Sequence, residues 1–489
     1  MIPGIILSLA LVSTADEADV LFRLGRLFPD ARGAVDGTWA GDQFSFLHRM
    51  RLSRGGFEMT AVAEKDPGEE WCDLVSAGAS YAPPGASFIA AGGWLRADLG
   101  SGLVMSHPGG WSDGAGIEEK PPSLEGRLEP AASPGCSDAE PLLGAGAGFA
   151  LGGLSCTLLG ASSRIDPSGE GLHRTASELE AKGSVREDLA AARIAGGPLG
   201  FDAMLGDRGE GRFGRAGIDF NGSAGGIGMT CEAAAGLSGD RVSDAFWACI
   251  HEETAVLRFN AGIFRCPGDF PGARSSMPLG GPCDIGAGAS AGLRPGHGWS
   301  ARLTAMCLLD EGDSGSRAEL EISRRMTPDF DLGLRARGSS VEGDESFRLV
   351  ASSSWRPAGG TVLSAALQRT GHDDTGGGSC GTGAETRLRL LLGDVILRLA
   401  AAGFSTEGYD SRVYFGELSL PGDFASIQQY GEGFLLQAAL GVPLSEGSVI
   451  SGRLSYLRKD SVESMGDGTE ETEGPSRLEA TIQFQATIR

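Results

Sequence analysis

Apolar and polar residues alternate one for one along most of this chain. Between Ser476 and Arg489, Leu478, Ala480, Ile482, Phe484, Ala486 and Ile488 share one parity, while Glu479, Thr481, Gln483, Gln485 and Thr487 share the other. A period of two sends the apolar set to one face of a β-strand. At about 3.3 Å per residue, a tilted strand of this length crosses the hydrocarbon core of a bilayer. From Gln43 onward, segments of about eight to twelve residues repeat this pattern between clusters of Gly, Pro, Asp and Ser. Trp299, Ala301, Leu303, Ala305 and Cys307 oppose Ser300, Arg302, Thr304 and Met306, and Phe330, Leu332, Leu334 and Ala336 oppose Asp331, Arg335 and Arg337. Phe347, Leu349, Ala351 and Trp355 likewise oppose Arg348, Ser352 and Ser354, and a tight hairpin is expected at Gly393-Asp394. The predicted fold is all-β: a large antiparallel transmembrane β-barrel of roughly 20 to 26 strands.

Composition agrees. The 489 residues are 41% apolar, too polar for a bundle of membrane helices and too apolar for a disordered chain. The most apolar internal stretch, 388–404, is interrupted by Arg389, Gly393, Asp394 and Arg398. A net charge of −23 argues against nonspecific nucleic-acid binding through the summed field, although an arginine-lined lumen is compatible with acidic loops.

Residues 1–15 contain the apolar run Ile5–Val12 followed by Ser13-Thr14-Ala15, the pattern of a secretory signal, with no Lys or Arg ahead of it. The expected organisation is a signal peptide at 1–15, a short N-terminal periplasmic segment at 16–40 with a helix over 18–28, and an outer-membrane barrel at 41–489 in a diderm bacterium. Long loops are expected at 107–141, 166–183, 266–283 and 460–475. The last carries Glu463, Asp467, Glu470, Glu471 and Glu473, an acidic solvated tip. Within the second, Thr175-Ala176-Ser177-Glu178 is a capping box that predicts a short helix near 175–182, closed by Gly183. Nine cysteines are scattered without a CxxC metal pair. Cys266 and Cys283 bracket a Pro/Gly-rich loop, where they either close a disulfide or remain thiols.

The chain resembles the barrel portion of bacterial outer-membrane proteins of the helix-hairpin-helix, competence-protein-like kind. The residues that carry the resemblance are Glu64–Glu69, Leu95–Val104, Ser137–Glu140, Gly171–Leu179, Cys231–Ala234, Arg412–Phe415, Leu420–Gly422 and Tyr430–Gly433, in this order. Ser101 stands where the family has Gln, and Cys231 where it usually has Gly. The family's tandem repeats, which would grip DNA backbone at helix N-termini, find no room in 16–40, so direct DNA binding is not supported.

Arg302, Arg317, Arg335, Arg337, Arg348, Arg387, Arg389, Arg398 and Arg453 fall on inward positions. They either form a ladder that selects anions in a wet lumen or brace the wall by pairing with Glu319, Glu321, Asp331 and Glu385. His173, Arg174, Thr175 and Glu178 cluster at the loop helix, where docking against the barrel rim competes with acid–base chemistry. Leu95–Met105 reads equally as an inward plug or as a strand running out into a surface loop. No catalytic residue, cofactor or metal is expected. The function expected is a pore or a component of transport or uptake, with a filled structural or surface-interaction barrel as the alternative and an envelope hydrolase as a distant one. The expected partners are outer-membrane lipid, the barrel-assembly machinery and an unidentified solute or surface molecule.

Overall fold

The computed structural model describes residues 15–71, 74–100, 102–105, 127–130, 142–166, 173–209, 211–268, 270, 283–309, 314–357, 359–374, 377–421, 426–460 and 462–489. The signal sequence expected at 1–15 lies almost wholly outside them, as does most of the loops at 107–141 and 266–283.

The chain closes into a 24-strand antiparallel β-barrel. In chain order the first eight strands are β1 Glu17–Phe28, β2 Phe44–Arg54, β3 Phe57–Lys65, β4 Leu74–Tyr81, β5 Phe88–Asp98, β6 Leu142–Leu151, β7 Leu154–Ile165 and β8 Val185–Gly196. The next eight are β9 Leu199–Arg208, β10 Gly211–Ala224, β11 Ile227–Ser238, β12 Arg241–Glu253, β13 Leu257–Cys266, β14 Cys283–Gly296, β15 Trp299–Leu309 and β16 Ser314–Thr327. The last eight are β17 Phe330–Val341, β18 Asp344–Trp355, β19 Val362–Asp374, β20 Gly377–Leu392, β21 Val395–Thr406, β22 Glu432–Ser445, β23 Ser448–Lys459 and β24 Ser476–Ile488. Each pairs with its neighbours in sequence, and β1 pairs with both β2 and β24, Phe22 opposing His48 on one side and Phe484 on the other. Among the described residues every strand of the barrel has a partner on both sides.

The helix expected over 18–28 is therefore corrected to the first strand, and the barrel begins at Glu17 rather than at 41. Leu21 and Leu27 sit on the inward parity of β1, where Leu21 packs with Leu47 and Val62 inside the barrel. An apolar residue on the polar parity blurs the period of two into something close to a helical spacing, and pairing on both edges decides the outcome.

The outward parity forms a hydrocarbon-facing belt. Leu303, Leu320, Leu334, Leu349 and Leu367, on five successive strands, are 37–65% exposed, an apolar surface that only lipid would cover. Cys307 lies on this face. The turns at the end that holds the two chain termini are short. Gly55-Gly56 and Gly225-Gly226 each supply the two consecutive left-handed residues of a hairpin turn (φ 55° and 85°, 61° and 90°). The connections 29–43, 66–73, 99–141, 166–184, 267–282, 407–431 and 460–475 all leave the opposite end. Short turns belong to the periplasmic side and long loops to the cell exterior.

Candidate functional site

The site is the lumen, which two inward-folded segments divide. The first begins at β5. Gly93 takes φ 91°, and a Cβ there would come within 2.4 Å of the Ala77 carbonyl oxygen. Past it the chain leaves the β4–β5 ladder, and residues 95–98 pair with an inner strand, Arg127–Pro130. It then turns back, so that the Leu99 N–H donates to the Met105 carbonyl at 2.9 Å. Leu95, Leu99, Leu103, Val104 and Met105 are buried against inward Leu142, Leu159, Leu189, Met204, Phe213, Trp247 and Phe264, which come from β6 to β13. Each such side chain gains about 1.5–3 kcal/mol from burial. Inward Gly217 makes room, since a Cβ there would meet Val104 Cγ2 at 2.7 Å. Of the two readings of Leu95–Met105, the structure shows the plug.

Polar groups of the wall hold the turn of this plug. The Glu232 carboxylate accepts the N–H of Leu103 at 3.2 Å and of Val104 at 3.3 Å, and Arg215 Nη1 donates to the Leu103 carbonyl at 3.2 Å. Beside them Arg193 Nη1 lies 2.6 Å from carboxylate oxygens of both Asp202 and Asp219, and all three side chains are buried. A Cβ on Gly100 would approach Asp202 Oδ2 to 2.5 Å, so the turn rests on this ion cluster. Sequence reasoning did not single out Arg193, Asp202, Arg215, Asp219 or Glu232. The signal was present in their shared inward parity, but only the register, Arg193 opposite Asp202 and Asp219 opposite Glu232, brings them together.

The second inward segment is the connection 407–431, whose strands Val413–Gly416 and Ser426–Gln429 form a hairpin inside the barrel. Wall side chains act as its hydrogen-bonding edge. Gln368 Nε2 donates to the Tyr414 carbonyl at 2.8 Å while Gln368 Oε1 accepts the Tyr414 N–H at 3.1 Å. Thr370 donates to Ser411 O, Arg387 to Gly416 O, and Gln483 to Pro421 O at 2.8 Å. Gln437 Oε1 accepts the Leu418 N–H at 3.2 Å. Val413 and Phe415 pack with Phe404, Leu435 and Leu457.

The inward arginines divide by partner. Arg335 pairs with Glu319 and Glu321, both at 3.4 Å, Arg387 with Glu385 at 2.8 Å, and Asp331 with Arg325 and Arg356. Arg348 lies over the Tyr414 ring at 4.7 Å, and Arg453 bridges Glu417, at 2.6 Å, to Glu479, fixing the hairpin. Arg302 lines a cavity at the periplasmic mouth together with Arg258 and Glu321. Among the described residues, Arg337, Arg389 and Arg398 form no ion pair. Arg389 and Arg398 are register partners on β20 and β21, and Arg337 opposes Arg348 across β17 and β18. Bracing and open cationic wall thus coexist.

At the outer mouth, four loops form a cap. The Arg32 N–H donates to Glu471 O, the Ala40 N–H to Arg174 O, and the Gly41 N–H to Gly68 O. His173 is 2% exposed, its N–H donating to Glu69 Oε1 at 2.9 Å and its Nε2 lying 2.8 Å from Asp166 Oδ2. Arg174 pairs with Glu470 at 2.6 Å and sits 5.5 Å over the Trp39 ring. The helix Ala176–Ala181 has the full capping box: Thr175 Oγ1 accepts the Glu178 N–H, and Glu178 accepts the N–H of Thr175 at 2.7 Å and of Arg174 at 2.8 Å. Partial burial opposes the charge on Glu178, but these two N–H groups outweigh it and hold the carboxyl below its ordinary 4.5. A depressed carboxyl adds stability above pH 4.5 that disappears as the pH falls through the lowered value. Hydrogen-exchange protection of 173–183 should therefore fall below pH 4.5 in the protein. In Glu178→Gln it should be weaker by about 0.5–2 kcal/mol at pH 7 and lose that dependence.

Cys266 and Cys283 are register partners across β13 and β14; the side chain of Cys283 lies outside the described residues.

No family model and no curated protein matches the chain. Solved structures do. An Escherichia coli P pilus tip assembly intermediate, PapC-PapD-PapK-PapG, matches with TM-score 0.50 and 10% identity over 97% of this chain and 61% of that one. An iron transporter from Neisseria meningitidis, FrpB, matches with TM-score 0.44 and 8% identity over 98% of this chain and 83% of that one. An anion-selective porin from Comamonas acidovorans matches with TM-score 0.33 and 12% identity over 62% of this chain and all of that one. At these identities the likeness is one of fold. With the lipid-facing belt, the fold defines the class: this is a large transmembrane β-barrel.

Proposed function

We propose that the protein carries solute across the outer membrane through a passage bounded by the β15–β21 wall and narrowed by the plug at 95–105 and the hairpin within 407–431. The carrying observation is the asymmetry of the lumen. The β6–β13 wall is covered by an apolar plug, whereas on the opposite side Arg335 and Arg389 remain exposed, which a uniformly packed interior would not permit. The competence-like resemblance supports an uptake setting. Enzymatic chemistry finds little support, because His173 is buried and engaged with Asp166 and Glu69. Lipid covers the outward belt, and β24, with Phe484 and Ile488 outward, is the segment offered to the assembly machinery. Cys266 is buried, and its register position opposite Cys283 would allow the two to join in an oxidising compartment.

Reconstituted in planar bilayers, the protein should pass a small current, and replacing 407–431 with a short turn should enlarge the unitary conductance. Absence of current from both, with each migrating as a folded, heat-modifiable barrel, would instead favour the second reading. That reading is a surface-interaction barrel, for which the tightly joined outer cap speaks.

A further inference from the structure

We infer that the passage is selective for small anions, and that Arg337, Arg389 and Arg398 set that selectivity. The inference rests on the transport reading above and deepens it. The whole chain carries −23, so a cationic surface within it is a local arrangement rather than a reflection of composition. On the β15–β21 wall, inward arginines outnumber inward carboxylates; Glu319 and Glu321 share Arg335, Glu385 pairs with Arg387 and Asp331 with Arg325 and Arg356. Arg389 and Arg398 therefore face each other without a carboxylate partner among the described residues, and Arg337 lies between Arg348 and Glu319, a carboxylate it shares with Arg335.

The like-charged register pair Arg389–Arg398 costs repulsion that a wall built only for bracing would avoid. Removing one of the two, or placing a carboxylate opposite, would have relieved it. An anion between them relieves it as well, through charge-assisted bonds from the planar guanidinium groups.

The opposite wall does not cancel this field. Asp202, Asp219 and Glu232 are buried beneath the plug, with Arg193 shared between the first two and the plug's own N–H groups donating to the third. A solute moving along the passage meets the arginines and is shielded from the carboxylates by the plug. With a screening length of about 10 Å at 0.1 M salt, the arginine field extends well into the lumen.

The test is the reversal potential in a potassium chloride gradient, measured on the protein and on the form lacking 407–431. Chloride should be favoured over potassium in both, the preference should weaken as salt is raised, and Arg337→Gln, Arg389→Gln and Arg398→Gln combined should bring the permeability ratio toward unity with the current retained. Cation preference, or a triple variant that conducts with unchanged selectivity, overturns the inference and leaves the transport reading standing. No current from any folded form removes the transport reading, and the inference with it. Heat-modifiable migration of the triple variant separates a lost field from a lost fold.

Discussion

Glu232→Ala should loosen the plug and raise channel opening more than any other single lumen substitution. The carboxylate takes the N–H groups of Leu103 and Val104, and Arg215 holds the Leu103 carbonyl beside it. Without Glu232, two buried backbone donors lose their acceptor and the buried Arg215 loses a compensating charge nearby. Breaking a buried charged arrangement in this way costs about 3–5 kcal/mol, comparable with the burial gain of one or two of the plug's apolar side chains. Hydrogen exchange of a peptide covering 95–105 should accelerate, and opening events in bilayer recordings should become longer or more frequent. Exchange as slow as in the unaltered protein would mean that apolar packing alone retains the plug. Because the barrel wall keeps its ladder, thermal unfolding of the β-sheet should shift far less than exchange at the plug.

Leu349→Arg should impair membrane insertion by roughly 2–4 kcal/mol, as expected of a charge near the midplane on the lipid face. Leu349 is central in β18, points outward and is 42% exposed to what would be hydrocarbon. Ser352, three residues on, points into the lumen beside other exposed polar groups, so Ser352→Arg should insert almost normally. Refolding yield into vesicles, titrated against denaturant, measures both. Equal losses would contradict the assigned facing of every strand registered to β18.

These facings were legible in the sequence because hydrocarbon on one side and water on the other impose strict alternation. The parts that were not legible are those where the inner side is not water. Leu21 in β1 faces other apolar groups inside the barrel, which broke the alternation and suggested a helix. The plug begins with ordinary alternation, Leu95, Ala97 and Leu99 against Arg96 and Asp98, and then passes into a Gly-rich stretch, so pattern alone left it undecided between plug and loop. The hairpin within 407–431 left no trace as a lumen element: its strands span four residues each, and its partners Arg348, Gln368, Arg387, Gln437 and Gln483 come from strands distant in sequence. The ion cluster under the plug needs the register of β8 to β11, and a slip of one residue would turn each of its members toward lipid. The arginine positions could be read as inward, but which of them are paired depends on rotamers that no spacing reports.

The seam between β1 and β24 has a consequence for biogenesis. Arg23 Nε donates to Gln483 Oε1 at 2.8 Å across a separation of 460 residues, so the first strand keeps one edge unsatisfied until the last is in place. Contacts this remote in sequence form slowly and late. An unclosed chain must therefore be kept from aggregating along its whole length, and truncation anywhere ahead of β24 should leave an open-edged, protease-sensitive species rather than a smaller cylinder.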